Sequence, residues 1–201
     1  MGSSSVLLND YADDTALAAR AAAGDVAAQR QIFGLLRSTV HATLYRVLGS
    51  NEHMEDLVQD VFVEVFRSLP RYRGESKLTT WTGPIAARVA FHYLRHKRAR
   101  GDDKALLPFR LHLVGSPEEH AQHREGLQRL YRLLLQMNPE QHVAFALFAL
   151  DGRSIEEIAE MTGVTIVAAK NRISRARRKL LAAARKDRVL ASYLAEHGEV
   201  Q

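Results

Sequence analysis

Three helix starts follow one another between Asn138 and Thr165, and no other feature restricts the fold of this chain as tightly. Asn138-Pro139-Glu140-Gln141 offers a capping side chain, a proline where no N–H is needed, and an acid at the positive end of the helix dipole. Asp151-Gly152 closes that helix. Ser154-Ile155-Glu156-Glu157 is a capping box, in which the first and last residues satisfy each other's backbone N–H groups. After Gly163-Val164-Thr165 a further helix runs into a basic tail. A short amphipathic helix, a glycine turn and a basic helix are the layout of a helix-turn-helix, expected here over 154–179.

The rest of the chain is also helical by pattern. Ala, Leu, Arg and Glu dominate, alternating β-branched runs are nearly absent, and the fold class is all-α. Helical patterns occupy 15–22, 25–48 and 52–69, broken at Gly24-Asp25 and Gly49-Ser50-Asn51. A polar stretch follows Pro70, and a last helix of this block spans 80–98, with Pro84 placed in its first turn, where a missing N–H costs nothing. Gly101-Asp102-Asp103 ends the block. A new one begins at Ser116-Pro117-Glu118-Glu119, again a cap, a proline and two acids. The organisation read from this punctuation is a disordered segment 1–13, a helical domain 14–100, a flexible linker 101–115, a second helical domain 116–187 and a tail 188–201.

The 201 residues carry a net charge of +5, with Lys and Arg concentrated near 88–100 and 170–188, which points to a polyanionic partner. With no cysteine, disulfides and thiolate metal sites are excluded. No apolar run approaches the roughly 20 residues that span a bilayer, and 1–5 lacks the parts of a signal peptide, so a cytoplasmic protein without membrane insertion is expected. No nucleotide loop, nucleophile elbow or acid pair is present, so neither enzymatic activity, a small-molecule substrate nor a cofactor is expected.

On the second helix of the helix-turn-helix, Ile166, Ala169, Ile173, Ala176 and Leu180 form one stripe for packing. Recognition helices read base edges with their first turns, which assigns Val167, Ala168, Asn171 and Arg172 to bases. Lys170, Arg175, Arg177, Arg178 and Lys179 are placed for phosphates, with Ser174 on the same face. The competing reading of 175–179 is a solvated helix end whose cations suit the negative end of the dipole.

In the first block, Leu57, Val58, Val61, Phe62, Val65, Phe66 and Leu69 share the core half of one helix. Asp56, Gln59, Asp60, Glu64 and Arg67 hold the other half, with Val63 in its middle: a face suited to a basic protein surface, or simply a solvated one. Trp81, Phe91 and Tyr93 are interleaved with Arg88, Arg95, Lys97, Arg98 and Arg100, a pattern suited to single-stranded nucleic acid, although Trp81 and Phe91 also suit a core. His92 and His96 have zinc-like spacing but no third ligand, and no metal is expected.

Taken together, residues 17–181 resemble the extracytoplasmic-function (group IV) sigma factors of bacterial RNA polymerase. Asp56-Leu57-Val58-Gln59-Asp60-Val61-Phe62 resembles the helix of conserved region 2 that docks on the polymerase clamp. Tyr72-Arg73-Gly74-Glu75-Ser76 followed by Thr80-Trp81 resembles the loop and helix that capture and melt the minus-ten element. Pro139-Glu140-Gln141, Ser154-Ile155-Glu156-Glu157-Ile158-Ala159 and Lys170-Asn171-Arg172-Ile173-Ser174-Arg175-Ala176-Arg177 resemble region 4, which reads the minus-thirty-five element.

The resemblance implies core-polymerase contacts at Asp56, Gln59, Asp60, Val63 and Glu64. It implies minus-ten contacts at Arg73, Gly74, Glu75, Ser76, Lys77, Arg88, Arg95 and Arg98, the loop residues holding a flipped base. It implies minus-thirty-five contacts at Val167, Ala168, Lys170, Asn171, Arg172, Ser174, Arg175 and Arg178, and the partners core RNA polymerase, promoter DNA and an anti-sigma factor. The chain departs from the family at Thr82-Gly83-Pro84, where Leu-Tyr-Arg is usual, at Arg88 and His92, and at Val167-Ala168, where Gly-Thr is usual. The family's usual promoter sequences therefore do not carry over. The rival readings are a conventional helix-turn-helix regulator that binds operator DNA without polymerase, and a metal-dependent hydrolase built on His92 and His96.

Overall fold

The computed structural model describes residues 3–49, 52–100 and 117–197, and every regular element among them is helical. Four α-helices build a first bundle: α1 (Ser3–Ala22), α2 (Val26–Leu48), α3 (Met54–Ser68) and α4 (Leu78–Ala99), with a 3-10 turn at Leu69–Arg71. Helix α1 begins well before residue 14, inside the stretch expected to be unstructured, and continues without a break into the Ala-rich run 16–22. Its junction with α2 is set locally. Gly24 takes a positive φ of 93°, and the Asp25 carboxylate accepts the N–H groups of Ala27 and Ala28 at 2.9 and 3.1 Å while Arg20 grips its other oxygen at 2.6 Å. Those backbone bonds, and then the guanidinium, hold the Asp25 carboxyl below its ordinary pKa.

The core of this bundle is Ile32, Leu36, Leu44, Val61, Val65, Leu78 and Ala90, none more than 1% exposed. Removing such side chains from water contributes about 1.5–3 kcal/mol for each large one. All the residues assigned to the core half of α3 are buried except Phe66, which is half-buried and packs against Phe62.

Pro84 is not in the first turn of its helix. Helix α4 starts at Leu78, two residues earlier than the pattern suggested, so Pro84 is the seventh helical residue. The start is moved by a distant partner: Asp14 of α1 accepts the N–H of Leu78 at 2.8 Å and caps the helix across 64 residues of sequence. The missing N–H of Pro84 leaves the carbonyl four residues earlier without its helical donor. Two residues before the proline, the buried Thr82 hydroxyl bonds back to the carbonyl of Leu78 at 2.7 Å. Back-bonding of this kind accommodates a bend.

A second bundle contains α5 (Pro117–Leu135), α6 (Pro139–Ala149), α7 (Ile155–Thr162), α8 (Ile166–Ala184) and α9 (Arg188–His197). Its starts match their local chemistry. Asn138 accepts the N–H of Gln141 at 2.9 Å, and the capping box is closed in both directions, Glu157 N–H to Ser154 Oγ at 3.1 Å and Ser154 N–H to Glu157 Oε2 at 2.8 Å. The backbone bond from Ser154 is the leading reason that the Glu157 carboxyl is held below its ordinary pKa. Gly163 ends α7 in the left-handed region at φ 65°, and Thr165 caps α8. Helix α9 packs on α5 and α8 through the buried Leu190, Tyr193 and Leu194. Tyr193 lies so close to Gly126 that a Cβ there would stand 2.5 Å from it.

The two bundles pack against each other, α2 and α4 against α6 and α4 against α7, and their cores join in one hydrophobic cluster. The linker expected at 101–115 and the cap residue Ser116 lie outside the described residues.

Candidate functional site

Burying Leu57, Val58, Val61, Phe62 and Val65 turns the opposite side of α3 to solvent. Asp56, Gln59, Asp60 and Val63 are exposed there and Glu64 is half-buried, so the five residues expected to meet a protein partner share one surface. Val63 is 55% exposed, among the largest exposures of any apolar side chain in the described residues. Glu64 is engaged by Arg67 at 2.8 Å, one turn along the same helix.

This face is one wall of a groove of about 800 Å³, which the sequence pattern did not reveal. Asp60, Val63 and Glu64 stand on the α3 side, Arg88, His92, His96 and Arg100 on the α4 side, with Leu57, Ile85 and Val89 between. An acidic wall faces a basic one across an apolar floor. The groove arises from the crossing of two helices, a tertiary fact that neither helix's periodicity contains. Among the described residues no group of three His, Cys, Asp or Glu side chains is placed to hold a metal ion, and His92 and His96 are both exposed.

The loop 73–77 is held at both ends. The Tyr72 hydroxyl donates to the carbonyl of Ser76 at 2.6 Å, its ring meets Trp81 edge-on at 5.3 Å, and Asp14 fixes Leu78. Gly74 has a positive φ of 71°, which lets the chain turn back at the loop tip. Between these anchors Arg73 and Glu75 have side chains 81% and 78% exposed and only 3.9 Å from each other. Gly74, Ser76 and Lys77 are half-buried. Trp81 and Phe91 are half-buried as well, a position between the core and nucleic-acid readings that the sequence left open.

On α4, Arg88 and Arg95 project into solvent. Arg98 is exposed too, but its guanidinium donates to the carbonyl of Met137 in the other bundle at 2.5 Å. Arg172 of α8 also turns toward the first bundle. With Arg88, Phe91, Glu140, Val143 and Met161 it lines a cleft of about 240 Å³ between the bundles.

The packing stripe of α8 is correct at Ala169, Ile173, Ala176 and Leu180, all buried, and incorrect at Ile166, which is 51% exposed. Ile166 is the first helical residue, beyond the reach of the helices that cover the stripe. It extends the exposed patch begun by Val167, which is 68% exposed. Lys170, Asn171, Ser174, Arg175 and Arg178 are exposed along the same helix, and Ala168 is half-buried with its N–H on Thr165 Oγ1 at 3.2 Å. Lys179 instead binds Gln141 Oε1 at 3.1 Å, which ties it to α6.

An exposed acidic face, an anchored loop beside a basic helix and a capped helix-turn-helix thus occur in one chain. Family models describe the same parts in the same order: Sigma-70 region 2 matches residues 32–100, and Sigma-70, region 4 matches residues 127–180. A probable RNA polymerase sigma-C factor from Mycobacterium bovis is 30% identical over 134 residues, 66% of this chain and 71% of the relative. The chain belongs to the extracytoplasmic-function sigma factors.

It is accordingly a promoter-recognition factor of transcription initiation. An ECF RNA polymerase sigma-E factor from Haemophilus influenzae is 28% identical over 173 residues, covering 82% of this sigma factor and 91% of the relative. Two solved structures share the fold. CnrH in complex with the cytosolic domain of CnrY has a TM-score of 0.59 at 24% identity, covering 87% of this chain and 98% of that one. RpoE in complex with the anti-sigma factor NepR from Bartonella quintana has a TM-score of 0.55 at 23% identity, covering 79% and 97%. No described helix of the sigma factor is long and apolar enough to cross a membrane.

Proposed function

We propose that the α3 surface of Asp56, Gln59, Asp60, Val63 and Glu64 docks this sigma factor on core RNA polymerase. The single observation that carries the reading is the grouping of these residues on one exposed face around an uncovered valine. A buried interface gains most from a small apolar centre ringed by polar groups that fix orientation.

The anchored loop 73–77, with Arg88, Arg95 and Arg98, then holds the displaced strand of the minus-ten element. Extruding a base costs a few kcal/mol of unstacking, which a pocket between fixed loop anchors can offset. On α8, Val167, Ala168, Asn171 and Arg172 read bases of the minus-thirty-five element, while Lys170, Ser174, Arg175 and Arg178 contact its backbone. The functional units are 14–100 and 116–187, the latter supported by α9. The chain acts in the cytoplasm by binding alone, with no catalytic step of its own. An anti-sigma factor, as in the complex of RpoE with NepR, is its regulating partner, and the groove between α3 and α4 is where it competes with polymerase.

Co-elution with core enzyme tests the docking face. The wild-type chain is expected to form a stable complex, and an Asp56→Arg/Gln59→Ala/Asp60→Arg variant with an unchanged melting curve is expected to elute separately. A variant that still co-elutes would overturn the assignment.

A further inference from the structure

Helix α8 begins with two β-branched aliphatic residues that no other element covers. Ile166 is 51% exposed and Val167 68%, and among the described residues they are the only exposed large apolar side chains adjacent in sequence. The helix itself does not need them, since both residues have a lower helix propensity than the alanines at 168 and 169. Their position is fixed from behind. Gly163 turns the chain in the left-handed region, Thr165 Oγ1 accepts the N–H of Ala168 at 3.2 Å, and Ala169, Ile173, Ala176 and Leu180 are buried on the far side of the helix. At about 3.6 residues per turn, Val167 lies with the exposed Asn171, Ser174 and Arg178 opposite that buried stripe, and Ile166 lies beside Lys170 at the edge of the same face.

The first turn of a recognition helix is the part that meets base edges, so the aliphatic pair stands where the major groove is read. Neither side chain has a hydrogen-bonding group, so neither can read the groove's donors and acceptors. The one apolar group that a base pair presents there is the C5-methyl of thymine. Against a purine edge or the cytosine amino group, the same side chains would strip water from polar atoms and offer no partner in return. A β-branched side chain in a helix is also nearly confined to one χ1 rotamer, so this surface is ordered before DNA arrives.

We propose that Ile166 and Val167 read the 5-methyl groups of pyrimidines, and that this sigma factor selects thymines at two nearby positions of its minus-thirty-five element through them. The inference rests on the reading of α8 proposed above and deepens it: Ile166 joins the residues that meet bases, and the group that Val167 meets is a methyl. Thymine and 5-methylcytosine carry that methyl at the same place, so the pair responds to either.

The test uses the full chain with core polymerase and duplexes selected from a pool randomised over the minus-thirty-five region. Each selected thymine is then replaced by uracil, which removes one methyl and leaves every hydrogen-bonding group of the base pair in place. At fixed salt, losing a buried methyl should weaken binding about fourfold at each of the two positions. There 5-methylcytosine should bind better than cytosine by a similar factor, which separates reading of the methyl from reading of the thymine carbonyl. Val167→Ser and Ile166→Ser, both at exposed positions, should each make one position indifferent to uracil, whereas Lys170→Ala should weaken thymine and uracil duplexes equally. If the complex with core polymerase retains no promoter DNA, the function proposed above fails, and the same replacement is made on duplexes that the chain retains alone, which keeps the two failures distinct. A chain that retains no duplex in either form overturns both. The methyl reading is overturned by uracil bound as tightly as thymine at every selected position, by 5-methylcytosine bound no better than cytosine there, or by serine variants as sensitive to uracil as wild type.

Discussion

The two bundles bear the same kind of task, reading DNA, but their sites are built differently. In the second bundle the reading helix is positioned by bonds between residues three or four apart: Ser154 with Glu157, Thr165 with the N–H of Ala168, and a left-handed Gly163 between them. In the first bundle the corresponding loop is positioned by Asp14 reaching Leu78 across the sequence, and the docking groove exists only where α3 crosses α4. A site built from local bonds tolerates variation in the rest of the fold. A site built from crossings depends on the framework: the α3 face and the α4 arginines keep their relation only while the two helices stay packed.

The largest effect expected from breaking this contrast lies in the first bundle. Reversing Asp56 and Asp60 puts like charges against a basic partner surface, which costs several kcal/mol, so the triple α3 variant should lose at least about 100-fold in affinity for core polymerase. The measurement is binding titration, with thermal melting unchanged because these side chains are exposed.

A pH effect is expected next, at the junction of the bundles. His142 is held neutral by burial down to about pH 4, against an ordinary value of 6.5. The unfolded chain takes up a proton below 6.5, so the folded chain keeps its full stability above that pH and loses it as pH falls toward 4. Arg46, Lys97, Arg98, Tyr131 and Asp151 face the same region. Comparing denaturant unfolding of wild type and of His142→Gln isolates the histidine: the loss of stability between pH 6.5 and 5 should be absent in the variant.

Local bonds in the second bundle have smaller, separable effects. Gly163→Val forces a branched side chain into a positive φ and should destabilise the helix-turn-helix by about 1–2 kcal/mol. Ser154→Ala should cost about 1 kcal/mol, both measured by denaturant unfolding. The smallest change is at phosphate contacts. Arg178→Ala should weaken binding to all minus-thirty-five sequences alike and reduce the salt slope by about 1, while Asn171→Ala should relax discrimination at one base pair.

How much of this was legible follows the same division. The α6 and α7 starts at Asn138 and Ser154 and the buried half of α3 are local patterns, and the sequence displays them. Pro84 was misplaced because Asp14 starts α4 earlier than the local pattern does. Ile166 was assigned to the packing stripe because periodicity counts a first-turn residue like any other, although no neighbour covers it. Arg98 and Arg172 have the composition of DNA contacts, and nothing in their own helices announces that the opposite bundle stands against them. One signal of that interface was present: His142 stands at the head of the apolar run of α6, and a polar group buried there requires a partner.

The central claim is that one chain carries both a polymerase-docking face and two promoter-reading sites. Run-off transcription with bacterial core polymerase on genomic fragments, including the region upstream of its own gene, tests this most directly. The account predicts discrete new starts with the wild-type protein that vanish with the Asp56→Arg/Gln59→Ala/Asp60→Arg variant. If core enzyme gains no starts while the protein alone shifts a symmetric DNA site, the chain works as a conventional helix-turn-helix regulator and the account is contradicted.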